Sequence, residues 1–391
     1  MLKYLEGSHA VSHVVAMCRP NVISAYPITP QTHIVEDLAR LVGEGKLDAE
    51  FINVESEFSA ASVVLGASAA GARAYTTTTS QGLLLMNEVI YCIAGMRLPI
   101  VLTCANRAIS APLNIWNDQQ DSMTVRDAGW IQLHAEDNQE AADLHMQAFR
   151  IAEQTFLPVM VCMDGFILTH AFEPVDIPEQ KEVDAFLPPF KPQNIVDPRW
   201  PRGIGLYADP RFYMEVRYIL HRALEKSEMV IKQVSEDFAR TFGRQSGGLL
   251  KTYKIEDADL VIITMGSVAG TIKDLIDQLE IEGKKVGLLQ ICSYRPFPRK
   301  EVYRVLKDKM NLLVIEKSIS LGRGGILGSD VRWSFPRTEK KDRKISCFVS
   351  GLGGRNISIN DLRSAVEMVE KEPVELEFLG LNPDIIAERD L

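Results

Sequence analysis

Along the first 170 positions, apolar residues follow two alternating periods. Short β-rich runs (Val22–Ala25, Phe51–Val54, Ala74–Thr77, Ile100–Cys104, Ile131–His134, Val159–Met163) alternate with stretches at helical spacing (His9–Cys18, His33–Val42, Phe58–Ala70, Leu83–Ala94, Gln139–Gln154). Some of the runs, IVLTC and VMVCM, are apolar almost throughout. That is the signature of parallel strands covered on both faces. Alternating units of this kind predict an α/β fold with a doubly wound parallel sheet, whose ligands sit beyond the C-terminal ends of the strands.

The pattern changes at Phe172. Seven prolines fall between Phe172 and Gly205 and periodicity is lost, so an extended, ordered arm is expected over 172–205. Phe186, Phe190 and Trp200 suggest that it lies against another surface. A long amphipathic helix follows over 213–242. A second α/β segment begins near Asp257, with strands over Leu260–Thr264, Val286–Ile291, Leu312–Ile315 and Ile345–Val349, each leading into a Gly- or Pro-bearing turn and a helix. Two domains are therefore expected, 1–250 and 251–391, with the tail beyond Pro373 an arm or surface strand.

Composition narrows the function. Of 391 residues, 46 % are hydrophobic and 24 % charged, with net charge −9. A net acidic chain of ordinary globular composition argues against nucleic acid or an anionic membrane as partner. No apolar stretch reaches the roughly 18 residues of a membrane span, and the N-terminus has no signal-peptide pattern, so a cytoplasmic protein is expected. The six cysteines form no CxxC pair and the seven histidines are scattered in sequence. Buried free thiols, and no metal or iron–sulfur site within this chain, are expected.

Chemistry concentrates in the loops after the strands. The stretch from Asn53 to Leu85 carries Glu55 and Glu57, then a helix in which 11 of the 14 residues from Ser59 to Ala72 are Ala, Ser or Gly, then Thr76–Thr79 and Ser80-Gln81-Gly82. Glu57 either charges the first turn of that helix or serves as a proton-handling acid. Arg107, after an apolar strand, either pairs with Asp118, Asp121 or a helix acid, or takes a carboxylate by two parallel hydrogen bonds. Thr29, between two prolines, either caps a turn or presents its hydroxyl to a ligand. The second segment's GRGG and GLGG lack dinucleotide spacing and read as tight turns. There is no Walker motif and no nucleophile elbow. What remains suggests a site for an anionic carbonyl compound beside an acid.

The ordered set YPITPQT, VESEFSAASVVLGASAAGARAYTTTTSQGLLLMNEVI, ANRAISAPLNIWNDQQD and CMDGFILTH resembles the α subunit of 2-oxoacid:ferredoxin oxidoreductases, above all the four-subunit pyruvate enzymes. The second segment, with RPFP and GRGG, resembles the C-terminal domain of transketolase-type enzymes. The resemblance implies a pyrimidine-binding thiamine diphosphate domain followed by a transketolase C-terminal-like domain. It implies CoA-dependent oxidative decarboxylation of a 2-oxo acid, pyruvate foremost, with electrons passed to ferredoxin. Branched-chain or aromatic 2-oxo acids, and a non-catalytic structural role, are the alternatives.

Residue by residue, the resemblance makes Glu57 the acid that hydrogen-bonds the pyrimidine N1′ and favours the tautomer able to take the thiazolium C2 proton. It makes Thr29 and Arg107 the substrate contacts, and Tyr26, Pro27 and Ile28 the loop beside the cofactor. The diphosphate motif of GDG type is absent from this chain. The resemblance places it, with Mg²⁺ and a [4Fe-4S] cluster, on a β subunit, and further clusters on a ferredoxin-like subunit, γ and δ subunits completing the complex. Gln119-Gln120 depart from the His and Ser of the related pyruvate enzymes.

Overall fold

The computed structural model describes residues 1–386 except 194, 202, 337 and 339–341. In chain order the elements are β1 (Leu2–Glu6), α1 (Gly7–Met17), β2 (Val22–Ala25), α2 (Thr32–Gly43), β3 (Glu50–Asn53), α3 (Glu57–Ala69), β4 (Ala74–Thr78), α4 (Ser80–Leu85), α5 (Asn87–Gly95), β5 (Val101–Asn106), α6 (Gln120–Thr124), β6 (Ile131–His134), α7 (Asn138–Thr155), β7 (Val159–Asp164), β8 (Phe172–Asp176), α8 (Gln180–Phe186) and α9 (Tyr213–Phe242). There follow β9 (Leu250–Tyr253), β10 (Leu260–Thr264), α10 (Val268–Ile281), β11 (Val286–Ile291), β12 (Ser293–Arg295), α11 (Arg299–Leu306), β13 (Asn311–Glu316), α12 (Ile326–Trp333), β14 (Lys344–Val349), α13 (Ile359–Lys371) and β15 (Glu377–Phe378). Among the described residues no helix is long and apolar enough to cross a membrane.

The chain divides into two compact units, residues 1–251 with 291–298, and residues 252–290 with 299–391. The first holds a seven-stranded sheet of order β12-β6-β7-β5-β4-β2-β3. Its pairings are parallel except β12 on β6. All six residues of β5 and all six of β7 are buried, as their apolar sequences require. The core includes Trp130, Tyr75 and Phe149. The second unit holds a six-stranded sheet of order β15-β14-β13-β10-β11-β9, with β10, β11, β13, β14 and β15 in parallel register. Its own core is built from Ile262, Leu288, Leu313 and Phe348, with Ile272, Leu275 and Val366 from the covering helices.

Several features depart from the sequence pattern. The residues Arg295–Pro298, expected in the second domain, lie in the first unit, and Ser293 pairs with Leu133 of β6. The helix expected over Leu83–Ala94 is two, α4 and α5, joined at Met86. The start of α4 is set by how Ser80 is held, described below, rather than by the apolar period of α5. The arm is regular at its beginning: β8 pairs antiparallel with β1 from Leu2↔Asp176 to Glu6↔Phe172, and α8 carries a reciprocal Glu179/Glu182 capping box. Phe186 is buried edge-on against Phe238 at 5.5 Å, whereas Trp200 is 73 % exposed.

The glycines of GRGG have two explanations. Gly322 and Gly324 take positive φ, as a turn requires. Gly325 does not; it is needed for close approach, since a Cβ there would lie 2.1 Å from Glu316 Oε1. The buried Glu316 carboxylate accepts the backbone N–H groups of Ile326 (2.7 Å), Leu327 (2.8 Å) and Gly328 (3.1 Å), so it caps α12 from the end of β13.

Candidate active site

Strands β3, β2, β4 and β5 are consecutive neighbours in one parallel sheet, so the loops at their C-terminal ends share one edge. Those loops carry Glu57, the Tyr26–Pro30 segment, the Thr79–Gly82 turn and Arg107. Hydrogen bonds and packing join all four.

Glu57 opens α3, but the capping is done by its neighbour. Ser56 Oγ accepts the Ser59 N–H at 3.2 Å, and Glu55 takes the Ser59 hydroxyl at 2.5 Å. The Glu57 side chain, in a residue only 7 % exposed, accepts no hydrogen bond from the described residues. It is pressed instead against Gly82 of α4. A Cβ on Gly82 would lie 2.6 Å from Glu57 Oε1 and 2.5 Å from Thr78 Oγ1. Thr78 Oγ1 and Gln81 Nε2 are also buried without a partner. A buried acid and the Thr78 hydroxyl are thus left open beside one glycine. Buried polar groups are ordinarily satisfied, and exceptions mark places where a ligand completes the bonding.

Arg107 and Thr29 are in direct contact. The guanidinium donates from Nη1 to the Thr29 carbonyl (2.8 Å) and from Nε to the Asn114 carbonyl (2.9 Å). The acid pairing considered from sequence is not formed with Asp121; that carboxylate takes the Arg107 backbone N–H. Arg107 is 5 % exposed, and burial pushes its pKa down while Asp121 opposes the shift. The Tyr26–Pro30 segment is shaped by Gln31, which is fully buried and donates to the Tyr26 carbonyl at 2.8 Å, while its N–H reaches the Ile28 carbonyl at 3.0 Å. Tyr26, Pro27 and Thr29 remain exposed and Ile28 half-buried.

Asp121 is the residue that sequence reasoning misread. Fully buried at the start of α6, it accepts the N–H groups of Ser80 (2.9 Å) and Arg107 (2.9 Å) on Oδ2. Its Oδ1 accepts Asn106 Nδ2 (2.7 Å) and the Ser122 N–H (2.7 Å). Burial raises its pKa, opposed by these four donors, the Ser80 N–H first. The bond to Ser80 holds that residue at φ +49°, in the left-handed region, and so sets the first turn of α4. Asp121 therefore links the Gly82 turn to Arg107, and Arg107 to Thr29. Only its place at the end of the Ser110–Asp121 segment hinted at this.

The histidines are scattered in sequence but not in space. His9, His33 and His170 gather around Glu6, with one donor atom each from Glu6, His33 and His170 within 4.8 Å of one another. The cysteines are free, five of them buried and Cys92 exposed.

The family profile described as pyruvate flavodoxin/ferredoxin oxidoreductase, thiamine diphosphate-binding, matches residues 13–236. The chain belongs to this family. The profile of pyruvate:ferredoxin oxidoreductase core domain II matches residues 258–362. Pyruvate synthase subunit PorA of Methanocaldococcus jannaschii is 49 % identical over 375 residues, 95 % of each chain. Ketoisovalerate oxidoreductase subunit VorA of Pyrococcus horikoshii is 40 % identical over 370 residues, 94 % of each chain. The fold is shared with a solved 2-oxoglutarate:ferredoxin oxidoreductase of Magnetococcus marinus, at TM-score 0.71 and 19 % identity, over 94 % of this chain and 65 % of that one. The family's thiamine diphosphate-binding domain thus covers the sheet that carries Glu57, Gly82 and Arg107. The open carboxylate of Glu57 and the orphaned Thr78 hydroxyl fit an aminopyrimidine, which needs an acceptor or donor at each ring nitrogen.

Proposed function

We propose that this chain is the α-type subunit of a multi-subunit pyruvate:ferredoxin oxidoreductase, which converts pyruvate and CoA to acetyl-CoA and CO₂ with electrons leaving to ferredoxin. The observation that carries this is the buried Glu57 carboxyl with no donor among the described residues, packed against Gly82 in a thiamine diphosphate-binding domain. Thiamine diphosphate, when bound, supplies the electron sink that accepts the pair released with CO₂. Glu57 holds a proton in exchange with the aminopyrimidine ring at N1′. Arg107 draws the Thr29 loop onto the end of β5, and Thr29 and Arg107 orient the 2-oxo acid. Tyr26, Pro27 and Ile28 form the wall of the same edge.

A β subunit supplies the diphosphate motif, Mg²⁺ and a [4Fe-4S] cluster, and γ and δ subunits complete the cytoplasmic complex. This division is supported by the lack of CxxC and of a GDG-type motif in the present chain. The test is the purified complex with CoA, a ferredoxin and a panel of 2-oxo acids. Pyruvate is expected to give the highest kcat/KM; higher values with 2-oxoisovalerate or an aromatic 2-oxo acid would overturn the assignment of pyruvate while leaving the reaction class in place.

A further inference from the structure

Three segments distant in the chain meet at Glu6: the β1–α1 junction, the start of α2 and the turn after β7. Glu6 Oε1 lies 2.6 Å from His33 Nδ1, and Glu6 Oε2 lies 3.6 Å from His9 Nε2. The rings of His33 and His170 are 4.8 Å apart, and His9 lies nearly parallel to His33 at 6.1 Å. Glu6 is buried, whereas the side chains of His9 and His33 are 39 % and 40 % exposed, which leaves a route in from solvent.

The outer nitrogens of His9 and His170 are already held. Asp37 hydrogen-bonds His9 Nδ1, and is itself fixed by Ser12 Oγ (2.8 Å) and Arg40 Nη2 (2.9 Å). Thr169 Oγ1 lies 2.8 Å from His170 Nδ1, which leaves Nε2 as the ligating nitrogen. A carboxylate or hydroxyl behind an imidazole is the usual support of a metal-binding histidine, because it fixes the tautomer and the ring.

We propose that Glu6, His33 and His170 bind a divalent transition-metal ion of the zinc or cobalt type, with His9 Nε2 beside the open position. Two imidazoles and one carboxylate suit such ions and not Mg²⁺ or Ca²⁺, which take oxygen. Tetrahedral donors at metal distances of about 2.1 Å stand roughly 3.4 Å apart; the Glu6–His33 hydrogen bond is shorter, at 2.6 Å, and the donor atoms of Glu6, His33 and His170 all lie within 4.8 Å of one another, so small side-chain shifts admit an ion. Binding replaces the proton between Glu6 and His33, which is released to solvent. The ion would tie α2, which starts just after the Tyr26–Pro30 loop, to the β1–α1 junction and to the turn after β7. Its role is to hold that loop's anchor.

The full chain is stripped with EDTA, dialysed, and titrated with CoCl₂ and separately with ZnCl₂ by calorimetry, with melting curves at each ratio. One equivalent is expected to bind at low micromolar Kd or tighter, with a rise in Tm and a cobalt visible spectrum of low coordination number. His33→Ala and His170→Gln are each expected to weaken binding at least tenfold and to remove the rise in Tm. Glu6→Gln, which keeps the volume of the side chain, is expected to do the same. His221→Ala on α9 is expected to change nothing. If the wild-type chain binds no stoichiometric cobalt or zinc at about 100 µM, or if the variants bind as the wild type does, the site does not exist.

Discussion

A methyl group on Gly82 would stand 2.6 Å from Glu57 Oε1 and 2.5 Å from Thr78 Oγ1, so the glycine of one strand-end turn fixes where the acid of another can lie. Gly82→Ala separates stability from catalysis. In a helix, alanine gains up to about 1 kcal/mol over glycine, and the three atoms it strikes, Thr78 Oγ1, Glu57 Oε1 and Glu57 Cγ (2.8 Å), belong to side chains that can rotate away. Stability is expected to change by less than about 1 kcal/mol, while kcat falls about 10²-fold as the carboxyl is displaced. Melting curves and steady-state kinetics of the assembled complex check both.

Asp121→Asn tests the link between the Gly82 turn and Arg107. Each carboxylate oxygen of Asp121 accepts two N–H donors, and Oδ2 also takes the Cys104 thiol at 3.6 Å. Whichever way an amide is turned, its NH₂ faces two of them. Each buried donor left unpaired costs about 1–3 kcal/mol, so unfolding free energy is expected to drop by roughly 2–5 kcal/mol, measured by urea denaturation. Pyruvate KM is expected to rise as well, because the Arg107 backbone loses its anchor.

His145 gives a pH dependence. Burial pushes its pKa down to about 4 from 6.5, opposed by the Ala141 carbonyl, while Thr103 bonds its other nitrogen. The unfolded chain binds this proton below pH 6.5 and the folded chain does not until about pH 4. The unfolded state therefore holds more protons in that window, and stability falls as pH drops through it. The full shift corresponds to about 3 kcal/mol. His145→Gln keeps a hydrogen-bonding side chain and removes the titration, so the slope of unfolding free energy between pH 7 and pH 5 is expected to be smaller in the variant.

In the second unit, Gly325→Ala drives a Cβ to within 2.1 Å of Glu316 Oε1. That carboxylate is held by three N–H groups and cannot swing aside without releasing them. The expected loss is about 2–4 kcal/mol. Amide hydrogen exchange resolves it locally: Ile326, Leu327 and Gly328 are expected to exchange faster than in the wild type.

The strands and most helices of both units were legible because fully buried parallel strands are apolar throughout, as β5 and β7 show. β1, β8, β9 and β12 were not: β1 and β8 form a short two-stranded ribbon with exposed residues and no apolar run, and β9 and β12 are only four and three residues long. Glu57, Thr29 and Arg107 could be picked out because they follow strands at one sheet edge. Asp121 was legible only as a possible side-chain partner of Arg107, and Gln31 not at all, since each works through hydrogen bonds to backbone groups that only the folded chain brings near. The histidines around Glu6 were hidden for the same reason: Glu6 and His170 are 164 positions apart.

The central claim is that Glu57 handles the proton of the cofactor's pyrimidine ring. It is tested most directly by hydrogen–deuterium exchange at C2 of thiamine diphosphate bound to the complex carrying Glu57→Gln, followed by quenched-flow NMR. Exchange is expected to slow at least 10²-fold, the range of a lost general acid–base group, with subunit assembly unchanged. Exchange at the wild-type rate in a fully assembled, cofactor-loaded variant would contradict it.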